Sequence, residues 1–189
     1  IQTIVSAMGS TLAACGDINR NVMAPAAPFE KPEYKTARSL AIKVADLLTP
    51  VAGQGTFLEL WADGDLEYKI KPDKEIQENR KLQFNEHVFS GIKKEPLYGS
   101  TYLPRKFKCA VTVPGDNSVD LLTNDIGLVA FTSKEGEFEG CNFYIGGGMG
   151  RTHNNEETFA RIADPLGYVE KDDTYELIQS IVAIQRDYG

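Results

Sequence analysis

The chain has 189 residues, of which 42% are hydrophobic and 25% are charged, proportions typical of a soluble globular domain. A formal net charge of −7 argues against general binding to nucleic acids or anionic membranes, so a site for an anionic ligand would need a local cluster of cations. No apolar run reaches membrane-spanning length, and no signal or transit segment is recognisable.

The cysteines Cys15, Cys109 and Cys141 are far apart in the sequence and form no Cys-x-x-Cys pair. Their odd number and wide spacing indicate a reducing compartment without a disulfide framework. An iron–sulfur cluster needs several closely spaced thiolates, which these residues do not supply. For Cys15 we expect the role of a small buried hydrophobic residue.

The first part of the chain is predicted to contain two helices separated by a polar segment and a proline-rich connector. Residues 1–14 place apolar side chains at helical spacing, and so do residues 34–48, a helix that Pro50 ends. Between them, residues 17–22 are polar and are predicted to be irregular. Arg20 lies in this segment between two asparagines, a setting typical of a solvated turn residue.

The next part is predicted to begin with a strand and to continue as a surface excursion. Residues 56–61 are apolar and precede a turn signal. Residues 67–95 are rich in Lys, Glu, Asn and Gln, so we interpret them as a long excursion from a single domain that spans residues 1–189. His87 has no cysteine or second histidine nearby and is predicted to lie on the surface, so no metal site is predicted.

Residues 106–113 combine a β-strand pattern with two lysines. Strand alternation predicts that four residues face the core: Phe107, Cys109, Val111 and Val113. Lys106 and Lys108 then share the opposite face, with their Cα atoms roughly 6.5–7 Å apart. Because neighbouring ammonium groups repel each other, an anion between them would stabilise the pair.

Two explanations of the lysine pair are open at this point. The lysines could protect an edge strand against aggregation, which the strand alone favours slightly. They could instead form an anion site on a rigid element, which the resemblance described below favours.

Two further strands are predicted at residues 126–132 and 141–145, joined by a turn at 134–137. With the lysine strand they would form the core sheet, so we predict an α+β fold with a mixed β-sheet flanked by helices. A final helix is predicted to begin at Asp172 or Thr174, with a buried apolar stripe.

A glycine-rich loop follows the last of these strands, at Gly146, Gly147 and Gly148. Glycines let a flat or anionic ligand approach the backbone and its N–H groups, although a purely structural turn explains the motif about as well. Nucleotide binding is a weak interpretation, because the G-x-G-x-x-G order and the Walker lysine are absent. A helix is predicted to begin at 154–155 and to end at the break 164–167.

Three segments resemble the sirohaem-containing nitrite and sulfite reductases. They are Tyr102-Leu103-Pro104-Arg105-Lys106-Phe107-Lys108, Cys15-Gly16-Asp17-Ile18-Asn19-Arg20-Asn21-Val22, and the run from Gly146 to His153. The sequence around them is most similar to the ferredoxin-dependent sulfite reductases of plants, algae and cyanobacteria. The resemblance covers nearly the whole chain apart from an interior stretch.

The resemblance implies roles for individual residues. Arg20, Lys106 and Lys108 would be catalytic, because they match residues that hold the anionic substrate over the sirohaem iron. A guanidinium and two ammonium groups suit that task through their fixed charge and their protons. Contacts with the cofactor would fall to Asn19, Asn21, Arg105, Gly146, Gly147, Gly148 and Arg151.

The implied activity is the six-electron reduction of sulfite to sulfide, with electrons that pass from ferredoxin through a 4Fe–4S cluster to sirohaem. The cluster ligands would lie in a later region, so we expect an interior fragment of a longer enzyme that is inactive in isolation. Expected partners are ferredoxin, sulfite and the remaining domains of the same enzyme, in the plastid stroma or the cyanobacterial cytoplasm.

Three alternatives are kept. The chain could come from a sirohaem nitrite reductase, although the segment Asn19-Arg20-Asn21-Val22 usually differs there. It could come from the haemoprotein of an NADPH-type sulfite reductase. As a different class of protein, it could be a fragment that binds an anion or a partner without turnover.

Overall fold

The computed structural model describes residues 18–26, 31–50, 58–62, 65–70 and 96–189. The predicted helix at 1–14, Cys15, His87 and most of the predicted excursion lie outside these residues. No helix within the described ranges is long and apolar enough to cross a membrane.

The described residues form seven strands and two α-helices. The strands are β1 (Asn19–Met23), β2 (Leu58–Ala62), β3 (Asp65–Ile70), β4 (Phe107–Thr112), β5 (Ile126–Thr132), β6 (Phe138–Ile145) and β7 (Asp164–Glu170). The helices are α1 (Pro32–Leu47) and α2 (Lys171–Tyr188), and a short 3-10 helix (Leu121–Thr123) precedes β5.

Five strands form one mixed sheet in the order β1-β4-β5-β6-β7. The pairings β1–β4 and β4–β5 are parallel, whereas β6 runs antiparallel to both of its neighbours. Strands β2 and β3 form a separate antiparallel pair. The predicted α+β fold with a mixed sheet is thus confirmed, and the sheet has two more strands than expected.

The two faces of the five-stranded sheet are covered differently. Both helices pack on the face that carries Phe107, Cys109 and Val111, together with alternate residues of β5 and β6. On the opposite face, Ala110 packs against Val119 and Leu121 in the segment that leads into β5. The prediction that Phe107, Cys109, Val111 and Val113 face the core is confirmed, because each is at most 3% exposed.

The position of β4 tests one of the two explanations of the lysine pair, namely edge protection. β4 lies between β1 and β5, and both of its sides are hydrogen-bonded to neighbouring strands. Edge protection is needed only where a strand has an unpaired side. The edge-strand explanation is therefore wrong.

The prediction for residues 17–22 is partly wrong. Residues Asn19–Met23 form β1, an edge strand that pairs in parallel with β4. The sequence did not indicate this strand because it is rich in polar residues. Asn21 is exposed, and Val22 and Met23 pack against opposite faces of the sheet. Strand β3 likewise enters the stretch predicted as an excursion, of which residues 71–95 lie outside the described ranges.

The predictions for residues 154–167 are wrong. Residues 154–163 do not form a helix, because local hydrogen bonds take its place: Asn155 Oδ1 accepts from the Glu157 N–H, and Thr158 Oγ1 accepts from the Thr152 N–H. The predicted break forms strand β7, which pairs with β6. Pro165 is tolerated there because β7 is an edge strand.

The other predicted helices and strands that fall within the described residues are confirmed. The helix predicted at 34–48 is α1, which buries Ala37, Leu40, Ala41 and Val44 and has a proline in its first turn. The strand predicted at 126–132 has those bounds, and its partner begins three residues earlier than predicted, at Phe138. The final helix begins at Lys171 and buries Thr174, Ile178 and Val182.

Truncation of Phe107 tests the position of the core. Phe107 is 2% exposed beneath the helices, so Phe107→Ala should lower the free energy of unfolding of the chain by about 3–5 kcal/mol. Ile42→Ala on the exposed side of α1, where the side chain is 64% exposed, should change it by less than about 0.5 kcal/mol. Chemical denaturation monitored by circular dichroism measures both, and equal effects would contradict the assignment of the core.

Candidate functional site

Each of the five strands has one of its ends at the same edge of the sheet. β1, β4, β5 and β7 begin there, and β6 ends there. The register is continuous across this edge, since Cys109 pairs with Ile126, Ile126 with Ile145, and Ile145 with Asp164. This edge, called here the entry edge, therefore collects the segments that contain the lysine pair, Arg20 and the glycine-rich loop.

Arg20 lies at an irregularity in β1. Asn19 pairs with Phe107 and Asn21 pairs with Lys108, so Arg20 is an extra residue between two consecutive partners on β4. Such bulges twist a strand locally and redirect a side chain. Neighbouring strands lie about 4.8 Å apart, so the backbone of Arg20 lies one strand away from the start of β4. The side chain of Arg20 is exposed.

Asn19 is held from two sides. Its backbone N–H donates to the Tyr98 hydroxyl at 3.1 Å, and that hydroxyl donates to the carbonyl oxygen of Leu48 at 2.5 Å. Its side-chain oxygen accepts from the Cys109 thiol, with Oδ1 and Sγ 3.7 Å apart. The oxygen of Asn19 is thus engaged inside the protein, whereas Asn21 is exposed and open to a ligand.

Lys106 and Lys108 lie at the start of β4. Lys106 immediately precedes the strand and is exposed, and Lys108 is half-buried on the face opposite Phe107 and Cys109. The predicted alternation is observed within the strand, whereas a common face for Lys106 and Lys108 stays a prediction, because Lys106 lies before β4. Lys108 belongs to β4, which is paired on both sides, and Lys106 directly precedes this strand. A strand fixed in this way can hold the Lys108 ammonium group in place for an anion.

Asp125 joins the lysine strand to the glycine-rich loop. Its Oδ2 accepts from the backbone N–H of Lys108 at 2.8 Å, and its backbone oxygen accepts from the N–H of Gly146 at 3.0 Å. Burial raises the pKa of this carboxyl, and the bond from Lys108 and the charges of Lys108 and Arg105 oppose the rise. A negative charge is therefore held among the cations of the entry edge at some energetic cost.

The backbone N–H groups of the glycine-rich loop are already hydrogen-bonded within the chain. Gly146 donates to Asp125, Gly147 donates to Asn124 at 3.1 Å, and Gly148 donates to Arg161 at 2.8 Å. The sequence-based expectation that these N–H groups receive an anion therefore does not describe this conformation. A ligand would contact the surface of the loop instead.

The glycines of the loop differ in what surrounds them. A Cβ atom at Gly147 would lie 2.3 Å from the backbone oxygen of Leu122 and 2.6 Å from that of Asn124. At Gly146 and Gly148 no atom of the described residues, apart from the chain neighbours, lies within 4 Å of that position, although Gly146 also has a φ of +79°. Gly147 is thus needed for packing, and Gly148 presents an open backbone surface.

Two arginines flank the loop. The guanidinium of Arg105 lies within 3.8 Å of the position that a Cβ of Gly150 would take, so it reaches the loop from the lysine segment. Arg151 is exposed and lines an open cleft of about 580 Å³ together with His153, Asn154 and Glu156. Both arginines are accessible to an anionic group.

The described thiols are unsuited to bind a cluster. Cys109 and Cys141 are fully buried, and burial raises the pKa of Cys109 and raises that of Cys141 to about 12. Metal-bound cysteines are thiolates, whose pKa is lowered instead. Within the described ranges, no group of His, Cys, Asp and Glu residues is arranged to hold a metal ion.

Several residues of the entry edge carried no signal in the sequence. Tyr98 bonds to Asn19, 79 residues away in the sequence, and Asp125 bonds to Lys108, 17 residues away. Local sequence patterns could not reveal these contacts. Arg161 pairs with Gly148 and forms an ion pair with Asp164. Asn124 is fully buried, and its Oδ1 has no hydrogen-bond partner among the described residues.

These features define an α+β domain in which cations and an open loop gather at one edge of a mixed sheet. Residues 75–189 match the family described as the nitrite and sulphite reductase 4Fe-4S domain. Because this match extends over more than half of the chain, the chain belongs to the nitrite and sulphite reductase family.

Individual relatives agree with this assignment. The chain is 57% identical over 193 residues to the sulfite reductase (ferredoxin) of Synechococcus elongatus, covering 100% of the chain and 30% of the relative. It is 39% identical over 186 residues to the sulfite reductase (NADPH) hemoprotein beta-component of Methylorubrum populi, covering 98% and 27%. The sulfite reductase (NADPH) hemoprotein beta-component of Shewanella sediminis is 41% identical over 189 residues, which cover 100% of this chain and 29% of the relative.

The chain thus spans less than a third of the length of these curated relatives. Among solved structures, the NirA protein of Mycobacterium tuberculosis matches with a TM-score of 0.36 and 23% identity, covering 60% of this chain and 17% of that one. This likeness is too low to add to the assignment, which therefore depends on the sequence matches.

The two neighbouring glycines provide a test of the loop. Gly147→Ala should lower the melting temperature of the chain by several degrees, because its Cβ would meet two backbone oxygens that cannot move independently. Gly148→Ala should change it by less than about 2 °C, since the added methyl faces open space. Thermal unfolding followed by circular dichroism compares them, and a larger loss for Gly148→Ala would contradict this packing.

Proposed function

We propose that this chain forms the substrate-holding part of a ferredoxin-dependent sulfite reductase, which reduces sulfite to sulfide by six electrons at sirohaem. The observation that carries the proposal is the parallel pairing of β1 with β4, which makes Arg20 the neighbour of the lysine segment. An identity of 57% to the ferredoxin-type relative, against 39% and 41% for the NADPH-type relatives, favours the ferredoxin branch.

The proposed division of labour follows from the chemistry of the side chains. The guanidinium of Arg20 offers a planar fork of donors to the oxygens of sulfite and stays charged throughout. Lys106 and Lys108 add fixed positive charge, which stabilises the negative charge that each electron brings. Their ammonium groups can also deliver the protons with which each oxygen leaves as water.

The residues at the entry edge fit a flat, polyanionic cofactor. Arg105 and Arg151 are exposed cations beside the loop, and Gly148 offers a surface without a side chain. Arg105, Arg151, Asn21 and the surface of Gly146 and Gly148 would contact the carboxylates and the rim of sirohaem. When bound, sirohaem would supply the iron centre and would pass on the electrons that ferredoxin delivers.

The residues described here do not fit a 4Fe–4S cluster, because the thiols of Cys109 and Cys141 are buried and protonated. We propose that the cluster ligands belong to another region of the enzyme. Ferredoxin would deliver its electrons there. The net charge of −7 would repel an acidic ferredoxin, so the basic docking surface would also lie elsewhere.

The proposed location is the plastid stroma or the cyanobacterial cytoplasm, where the ferredoxin-dependent enzymes of the family work. A nitrite reductase and an NADPH-type haemoprotein remain the nearest alternatives. Rates with sulfite and nitrite, each with ferredoxin or NADPH-linked electron supply, distinguish the three.

Substitution of the lysines tests the proposal. The test protein is a chimera in which this chain replaces the matching segment of the Synechococcus elongatus enzyme, and it is referred to below as the chimera. Lys106→Met and Lys108→Met keep much of the length and remove the charge, so each should lower the rate of sulfite reduction per bound sirohaem by roughly 100-fold or more. Arg20→Lys should also be damaging, because a point charge does not replace the planar fork.

Lys134→Met is the matched control. Lys134 is exposed in the turn between β5 and β6, at the end of the sheet opposite the entry edge. This variant should keep the rate of the unmodified chimera, and all variants should keep their sirohaem absorbance. Unchanged rates in both Lys106→Met and Lys108→Met would refute the active-site assignment.

The chain in isolation should not reduce sulfite with reduced methyl viologen. It lacks a ligand set for the cluster, and it supplies only part of the surroundings that sirohaem needs. Dye oxidation followed by absorbance measures the rate, with the Synechococcus elongatus enzyme as the positive control. Turnover by the purified chain alone would contradict the proposed division of the site.

A further inference from the structure

Asp125 occupies a position that the proposed function does not use. Its carboxylate accepts from the N–H of Lys108, and its backbone oxygen accepts from the N–H of Gly146. One residue thus links the start of β4, the start of β5 and the loop that follows β6. Removal of this link would free the lysine segment and the glycine-rich loop to move relative to each other.

The charge of Asp125 reaches groups on several sides. On the lysine segment it interacts with Lys108 and Arg105, and on the helix-covered face it contributes to the raised pKa of Cys109. A half-buried carboxylate among cations reduces the positive potential that an anionic substrate meets. Burial makes the ionised form costly, and such a cost is typical of residues kept for function.

We propose that Asp125 is a positioning residue of the anion site, which fixes the lysine segment against the glycine-rich loop and limits the positive charge that sulfite meets. This inference rests on the proposed function. The fixed geometry favours binding, whereas the negative charge weakens the attraction for sulfite. It also eases release of the reduced product in its anionic form, HS−.

The geometric and the electrostatic contributions of Asp125 can be separated, because two substitutions affect them differently. Asp125→Asn keeps an oxygen that can accept from the Lys108 N–H and removes the charge. Asp125→Ala removes both the accepting oxygen and the charge. In the chimera, Asp125→Asn should lower the dissociation constant of sulfite about 3- to 10-fold, and Asp125→Ala should raise it by a similar factor. Isothermal titration calorimetry with sulfite measures both values, and steady-state kinetics should show a lower KM and a lower kcat for Asp125→Asn.

The effect of the Asp125 charge on sulfite binding should disappear as the pH falls. The pKa of Asp125 is raised, so as the pH falls through that value the carboxylate of the unmodified chimera becomes neutral. The ratio of sulfite dissociation constants between the unmodified chimera and Asp125→Asn should then approach one. Protonation of sulfite itself affects both proteins equally, so the ratio reports Asp125.

Hydrogen exchange gives a readout that is independent of the substrate. The Lys108 amide should lose protection in Asp125→Ala and keep most of it in Asp125→Asn. Asp116→Asn is the matched control, since Asp116 accepts from the Ser118 N–H at 2.7 Å beyond the opposite end of β4. It should alter neither the exchange of Lys108 nor the binding of sulfite.

The outcomes separate the two proposals. An unmodified chimera that binds sulfite but does not reduce it would overturn the proposed function, and the dissociation constants would still test Asp125. Equal increases of the dissociation constant in both Asp125 variants would overturn the charge role. Unchanged sulfite binding and unchanged Lys108 exchange in Asp125→Ala would overturn the inference entirely, whatever the activity.

Discussion

The parallel pairing of β1 with β4 is the constraint on which the site depends. It brings a polar segment from the beginning of the chain beside a segment that lies more than eighty residues later in the sequence. The pairing is anchored by Tyr98, whose hydroxyl connects Asn19 to the end of α1. The irregularity at Arg20 follows from the same pairing, because Asn19 and Asn21 both have partners on β4 while Arg20 has none there.

The arrangement of the sheet explains why the cations gather at one edge. The parallel strands β1, β4 and β5 begin there, and the antiparallel β6 ends there, followed by the glycine-rich loop. Both helices pack on one face, and among the described residues the opposite face is covered by short segments such as that around Leu121. Charged side chains at the strand ends therefore stay accessible, while the interior strands β4 and β5 are mostly buried. Asp125 fits this arrangement, since its side-chain oxygen accepts from the Lys108 N–H and its backbone oxygen accepts from the Gly146 N–H.

The glycines of the loop differ in their surroundings, so one structural role does not cover them all. Gly147 is required because its backbone touches the segment before β5, and its N–H is bonded to Asn124. Gly148 has open space where a side chain would lie. The two explanations that the motif left open therefore apply to neighbouring residues. Packing explains Gly147, whereas Gly148 belongs to the surface that we propose contacts the cofactor.

The sequence by itself determined the strands and helices that have strong hydrophobic periodicity, namely α1, β4, β5 and α2, and the resemblance carried by the three motifs pointed to the family. It did not reveal β1 or β7, since polar residues, Pro165 and Gly167 obscure the alternation of an edge strand. It also suggested a helix after Asn154, where side-chain hydrogen bonds and the bridge between Gly148 and Arg161 stabilise another path. Only the tertiary structure decided that β4 is an interior strand and that Asp125 lies between Lys108 and Gly146. The physical reason is that strand order and long-range hydrogen bonds depend on partners distant in the sequence, whereas periodicity records only the local balance of apolar and polar residues.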